Sequence, residues 1–130
     1  MTRLQKQDLI YPELSYQIIG ILFDVFNELG PGFQEKYYQR AVVVRLRQVG
    51  LRFSQQISVK MLYRNQNIGH YILDFLIDRK VIVELKRGNR FLKRDIDQVY
   101  AYLKATKLQL GIIANFTSSG IKYKRILNLY

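Results

Sequence analysis

The hydrophobic pattern of this chain changes period near Gly50, and that change restricts the fold more than any other feature. Before it, the spacing is helical. Pro12 can open a first helix, and Leu14, Ile18, Ile21, Leu22, Val25 and Leu29 then recur at three- and four-residue intervals. Gly30-Pro31-Gly32 stops it, because glycine suits a helix C-terminus and proline cannot continue the hydrogen-bond ladder. A second helix is expected from Glu35 to Val49, with Tyr38, Ala41, Val42, Leu46 and Val49 on one face. After Gly50, Ile57, Val59, Met61 and Tyr63 alternate with polar residues and read as a strand. Asn65-Gln66-Asn67 reads as a turn, His70–Ile77 as a second strand, Asp78-Arg79-Lys80 as a short loop and Val81–Lys86 as a third strand. A helix over Lys93–Ala105 would turn Ile96, Val99, Tyr100 and Leu103 inward. Gln109–Asn115 is an apolar run of the kind found in buried strands, Phe116–Gly120 a loop, and Ile121–Leu127 an edge strand. The order α-α-β-β-β-α-β-β gives an α/β (or α+β) class: one domain over residues 1–130, with a central mixed sheet flanked by helices.

Composition narrows the chemistry. The absence of cysteine removes disulfides and thiolate metal sites, and it fits a reducing compartment, so a cytoplasmic location is expected. The single histidine, His70, removes a multi-histidine zinc site. A metal would have to sit on carboxylates and carbonyls, which points to magnesium- or manganese-like ions. No apolar run is long enough to span a membrane, and Met1–Gln7 lacks the apolar core of a secretory signal. The 21 Lys and Arg against 10 Asp and Glu favour a polyanionic partner, nucleic acid before a membrane surface. Arg79, Lys80, Lys86, Arg87, Arg90, Lys93 and Arg94 fall in one stretch whose acids before Asp95 are limited to Glu84.

Asp74, Glu84 and Lys86 stand out within these strands. Residues two apart on a strand share a face, so Glu84 and Lys86 point together while Leu85 points away. If Ile77 pairs with Val81 across the short loop, Asp74 falls opposite Glu84. Cβ atoms so placed are about 4.5–5.5 Å apart, and like charges there repel unless a cation bridges them. Their neighbours Ile72, Leu73, Phe75, Leu76, Ile82, Val83 and Leu85 are apolar, which makes unpaired charge costly. The competing reading is an ion pair between Glu84 and Lys86 on an exposed strand.

The three residues resemble the core motif of the PD-(D/E)XK nuclease superfamily, with Asp74 as the D and Glu84-Leu85-Lys86 as the E-x-K. Gly32-Phe33-Gln34-Glu35-Lys36-Tyr37-Tyr38 is similar to the G-x-x-E-x-x-Y signature of the GxxExxY family within it. Gln98 and Tyr102 resemble the Q-x-x-x-Y motif of phage lambda-type exonucleases and recombination nucleases. The likeness spans about Leu9 to Asn128 and implies a restriction-endonuclease-like core. It also implies that Asp74 and Glu84 hold Mg2+ or Mn2+, with the Leu85 carbonyl as a further ligand. Lys86 would orient water or stabilise phosphate charge, and Glu35 would be an additional acid at the metal. Gln98, Tyr38 and Tyr102 would line the site, while Arg87, Arg90 and Arg94 would contact phosphates. Ordinary core packing competes for the two tyrosines, and a helix N-terminal acid favoured by the dipole competes for Glu35. The stretch Lys93-Arg94-Asp95-Ile96-Asp97 lacks the histidine that often introduces the glutamine helix, and His70 does not replace it.

The expected function is therefore metal-dependent hydrolysis of nucleic acid, DNA ahead of RNA, by a protein with no membrane partner and with a homodimer allowed. The alternatives are an inactive nucleic-acid-binding module and a subunit of a larger complex on the same fold.

Overall fold

A computed structural model describes residues 10–129, so Met1–Gln7 lies outside the described part. The elements are α1 (Pro12–Leu29), α2 (Glu35–Val49), β1 (Phe53–Tyr63), β2 (Gln66–Ile77), β3 (Val81–Arg87), α3 (Lys93–Thr106), β4 (Leu110–Phe116) and β5 (Ile121–Leu127). This is the element order read from the sequence. The five strands form one mixed sheet in the order β1-β2-β3-β4-β5. Only β3 and β4 run parallel, because α3 carries the chain back between them.

Two apolar clusters sandwich the sheet. On one face Ile18, Leu22 and Val25 of α1 and Tyr38, Val42 and Leu46 of α2 pack on Val81, Val83, Leu85, Ile112 and Ala114. On the other face Val99, Tyr102 and Leu103 of α3 pack on Leu73, Ile82 and Ile113. Gly111 lets α3 settle closely on β4, since a Cβ there would stand 2.6 Å from Val99 Cγ1. Three residues expected to point inward are instead substantially exposed: Leu29, Val49 and Tyr100. Helical spacing defines a stripe, but its margins face solvent where a helix is only half covered.

β1 and β2 are longer than their alternating patterns. Polar Ser54 and Gln55 join β1 opposite Leu76 and Phe75, and Gln66 and Asn67 join β2 opposite Tyr63 and Leu62. Backbone pairing recruits these residues, and no apolar side chain marks them. The turn therefore lies at Arg64 and Asn65, at φ 48° and 64°, and not at Asn65-Gln66-Asn67. Two successive positive φ values are what a tight hairpin of this handedness requires.

Candidate active site in the gap between two strands

β2 and β3 pair as the loop length implied, Ile77 with Val81, Leu76 with Ile82 and Phe75 with Val83, and the ladder ends there. The next rung would be Asp74 opposite Glu84. Instead each carboxylate takes a backbone N–H left free as the strands part. The Leu85 N–H donates to Asp74 Oδ2 at 2.8 Å, and the Asp74 N–H donates to Glu84 Oε2 at 3.2 Å. Because the Leu85 N–H points at β2, its carbonyl opens on the same gap: in an extended strand the two groups of one residue share an edge.

The pleat slips at the same place. Leu73 packs with the α3 cluster, whereas Phe75 and Ile77 pack with the α1–α2 cluster. Residues two apart should share a face, so the phase changes at Asp74. β1 slips in step: Phe53 packs against the α1–α2 cluster, Ile57 and Val59 against the α3 cluster. Between them Gln56 has φ 50°, a conformation that non-glycine residues adopt seldom and that bulges next to functional sites often carry. Asp74 therefore sits on the seam between the two faces and meets side chains from both.

From the α2 side, Gln39 Nε2 donates to Asp74 Oδ1 at 3.1 Å, and Gln56 Nε2 reaches Gln39 Oε1 at 3.5 Å. From the α3 side, Asp95 Oδ1 stands 3.7 Å from Lys86 Nζ, which is also 3.7 Å from Glu84 Oε1. Lys86 is thus held between two carboxylates. Asp74 and Glu84 are both buried. Burial, and then the nearby Asp74 charge, push the Glu84 carboxyl up to about 8, although Lys86 opposes the shift. Asp74 is also raised, by burial first, against the Leu85 N–H and Lys86. Glu35 is raised by burial, with Lys86 lowering it and Asp74 and Asp95 adding to the rise. Glu35 and Asp95 each occupy the first turn of a helix, where the dipole favours an acid.

The donor set fits a hard divalent cation. Two carboxylates and a carbonyl are all oxygen donors, and the two carboxylates face one another in a buried gap with Lys86 as the neighbouring cation. Among the described residues no three His, Cys, Asp or Glu side chains form a metal-sized group, so Glu35 does not complete a cage with Asp74 and Glu84. Magnesium tolerates this, since it usually takes one or two carboxylates and keeps several waters.

Other expected site residues divide. Gln98 lines an open cleft with Tyr71, Arg94, Asp95 and Asp97. Arg87, the last residue of β3, and Arg90 just beyond it are exposed, Arg87 Nη2 donating to the Gly32 carbonyl at 3.5 Å and the Arg90 carbonyl accepting from Asn115 Nδ2 at 2.8 Å. The two tyrosines expected to line the site are both buried. Tyr38 is buried with its ring stacked 4.0 Å from Phe116 and its hydroxyl donating to the Gly30 carbonyl at 2.7 Å. It secures the Gly30-Pro31-Gly32 corner that launches α2. Tyr102 is buried among Leu73, Ile82 and Ile113, and burial raises its phenol. Both rings follow the apolar stripes of their helices into the core. The basic stretch also splits, because Arg79 and Lys80 lie at the β2–β3 turn while Arg87 ends β3 and Arg90 and Arg94 follow it. Gln39, Gln56 and Asp95 were not singled out from the sequence. Two of them carry a signal: Gln39 is four residues after Glu35, and Asp95 three before Gln98, each on a shared helical face.

A family model described as the PD-(D/E)XK nuclease superfamily matches residues 12–126. No curated protein matches the chain. The solved structure titled "Crystal structure of SSO0001" is similar at a TM-score of 0.53 and 15% identity, over 73% of this chain and 50% of that one. This chain thus spans half the length of that protein, and at such identity the likeness shows the fold alone. With the match covering nearly all the described residues, from α1 into β5, the chain belongs to the PD-(D/E)XK nuclease superfamily.

Proposed function

We propose that the protein is a nuclease of the GxxExxY group that hydrolyses phosphodiester bonds of nucleic acid, DNA ahead of RNA, with Mg2+ or Mn2+. The observation that carries this reading is the meeting of two buried carboxylates, Asp74 and Glu84, in the β2–β3 gap with Lys86 beside them. Asp74, Glu84 and the Leu85 carbonyl would hold the cation, with Glu35 as an additional acid nearby. When bound, such an ion polarises the phosphoryl oxygen and acidifies a water.

Lys86 stabilises the charge that grows on the phosphate, and Asp95 and Glu84 keep its ammonium aimed at the gap. Gln39 fixes the Asp74 carboxylate, which leaves less reorganisation at the moment of reaction. Gln98 touches the substrate from the cleft on α3. Arg87, Arg90 and Arg94 bind phosphates, which positions a nucleic-acid backbone without reading its sequence.

The test is cleavage of DNA and RNA in magnesium or manganese, with and without EDTA, alongside binding in calcium. Cleavage should need the cation. Lys86→Ala should lower it by at least about a hundredfold, the scale for loss of one charge-stabilising group, while binding in calcium stays close to that of the parent. A Lys86→Ala protein that cuts as well as the parent removes the mechanism. A parent that cuts nothing offered, yet binds it, is a binding module on this fold.

A further inference from the structure

The β1–β2 hairpin extends well past the sheet. β3 pairs only with Phe75–Ile77 of β2, so from Ile57↔Leu73 outward the two strands pair with each other alone. Ile57 and Val59 still lean on the α3 cluster; beyond them no ribbon residue belongs to either core cluster. From Gln56 to the turn the ribbon reaches roughly 27 Å at the usual rise per residue.

Its surface has an unusual pairing of properties. Between Phe53 and Leu73 there is no acidic residue, while Lys60, Arg64 and His70 are present and Lys60 lies directly opposite His70. Leu62, Tyr63, Ile68 and Ile72 are 62%, 60%, 62% and 50% exposed. The Arg64 guanidinium lies over the Tyr63 ring at 5.6 Å, presenting charge and aromatic surface together at the tip. A lysine on an edge strand is enough to discourage strand-to-strand association. Four exposed apolar side chains work against that purpose, so protection alone does not explain the ribbon. The root of the ribbon is the phase slip at Gln56 and Asp74, and Tyr71, further along, lines the cleft with Arg94, Asp95 and Gln98.

We infer that the β1–β2 ribbon is an arm that enters the major groove of a B-form DNA duplex beside the site, contacting phosphates through Lys60 and Arg64. The identity of the occupant follows from charge and width. A two-stranded ribbon fits the major groove of B-DNA, whereas the major groove of A-form RNA is too narrow for side chains to read. The exposed apolar side chains suit base edges and thymine methyl groups in that groove. The arm rests on the nuclease reading only in taking nucleic acid as the ligand, and it narrows that ligand to duplex DNA flanking the scissile phosphate on one side.

The experiment measures binding of the full chain in EDTA to a DNA duplex of about two helical turns, to the matching RNA duplex and to single-stranded DNA, across a salt series. The variants are Lys60→Glu with Arg64→Glu, and the milder Lys60→Gln with Arg64→Gln; all four changes lie on exposed positions. The parent should prefer the DNA duplex. The charge-reversed pair should lose at least about tenfold in duplex affinity, and its log–log salt slope should fall by about two units, one per lost phosphate contact. Single-stranded DNA and duplex RNA should lose much less. Unchanged duplex affinity and slope overturn the inference. So does an equal loss for all three nucleic acids, which would mark general charge and not groove entry. A shift in oligomeric state by size exclusion, with DNA affinity intact, overturns it in favour of a contact between copies. Ribbon-dependent duplex binding by a parent that never cuts in magnesium or manganese leaves the arm standing and removes the nuclease reading; cation-dependent cleavage with ribbon-independent binding does the reverse.

Discussion

At the scale of single residues the site is a problem in charge. Asp74 and Glu84 face one another in a buried gap, where two backbone N–H groups, Gln39 and Lys86 offset part of their charge. The consequence is a raised Glu84, near 8, against an ordinary value of 4.5. A carboxyl raised in the folded state binds more protons there than in the unfolded chain, so stability falls as pH rises between those two values. Below about 4.5 the group contributes nothing, and above about 8 its full penalty is present. Without metal, the melting temperature should therefore decline from pH 5 to pH 8 by more than in Glu84→Gln, which keeps the shape and removes the charge. Melting curves of both proteins in EDTA across that range check this, and parallel pH profiles would show that Glu84 does not titrate there. Magnesium should flatten the profile of the parent, because the cation takes over the role of the proton.

At the scale of elements, the site exists because three local events coincide. β2 pairs with β3 only from Phe75 onward, the pleat slips at Asp74 and Gln56, and α2 and α3 present Glu35 and Asp95 from their first turns. The position of α3 depends on Gly111, over which Val99 lies too close for any side chain. Gly111→Ala should cost about 1–3 kcal/mol through overpacking, because a β-branched valine cannot easily turn aside. It should also reduce cleavage more than it reduces binding, since Asp95 and Gln98 ride on the same helix. Val99→Ala combined with Gly111→Ala should restore part of both. Chemical denaturation and cleavage rates of the single and double variants test the coupling; strict additivity of the two changes would show that the helix does not rest on this contact.

At the scale of the whole molecule, the net charge of +11 is distributed by the topology and not by the order of residues in the chain. Arg79 and Lys80 are four to seven positions from Glu84 and Lys86 along the chain, and they end up at the turn beside Asp78, which pairs with Lys80 and with Arg52. Arg87 ends β3, and Arg90 and Arg94 follow it, at the end of the strand opposite the turn. Changing those three to alanine should weaken binding to nucleic acid of any sequence and lower the salt slope by about three units. Arg79→Ala with Lys80→Ala should leave the slope nearly unaltered. Binding isotherms in a salt series decide it, and equal slopes for the two variants would mean that the charge acts as a diffuse field.

Much of this is legible in the sequence. The change from helical to alternating period marks α1 and α2 against β1 and β2, because a buried face repeats with the geometry of its element. The loop of Asp78-Arg79-Lys80 is short enough to settle the register, and the register places Asp74 across from Glu84, since side chains alternate strictly along paired strands. The oxygen-donor character of the site follows from the chain having no cysteine and one histidine. What one dimension could not show is where that alternation breaks. The phase slip at Gln56 and Asp74 arises from two strands distorting together, and neither sequence marks it with glycine or proline. Nor could periodicity tell how deeply Tyr38 and Tyr102 are buried, because an apolar ring with a hydroxyl suits a core and a cleft equally until its neighbours are known. Gln39 and Asp95 became partners of Asp74 and Lys86 only when two helices, distant in sequence, delivered them to the same gap, and long-range packing of that kind depends on the whole core.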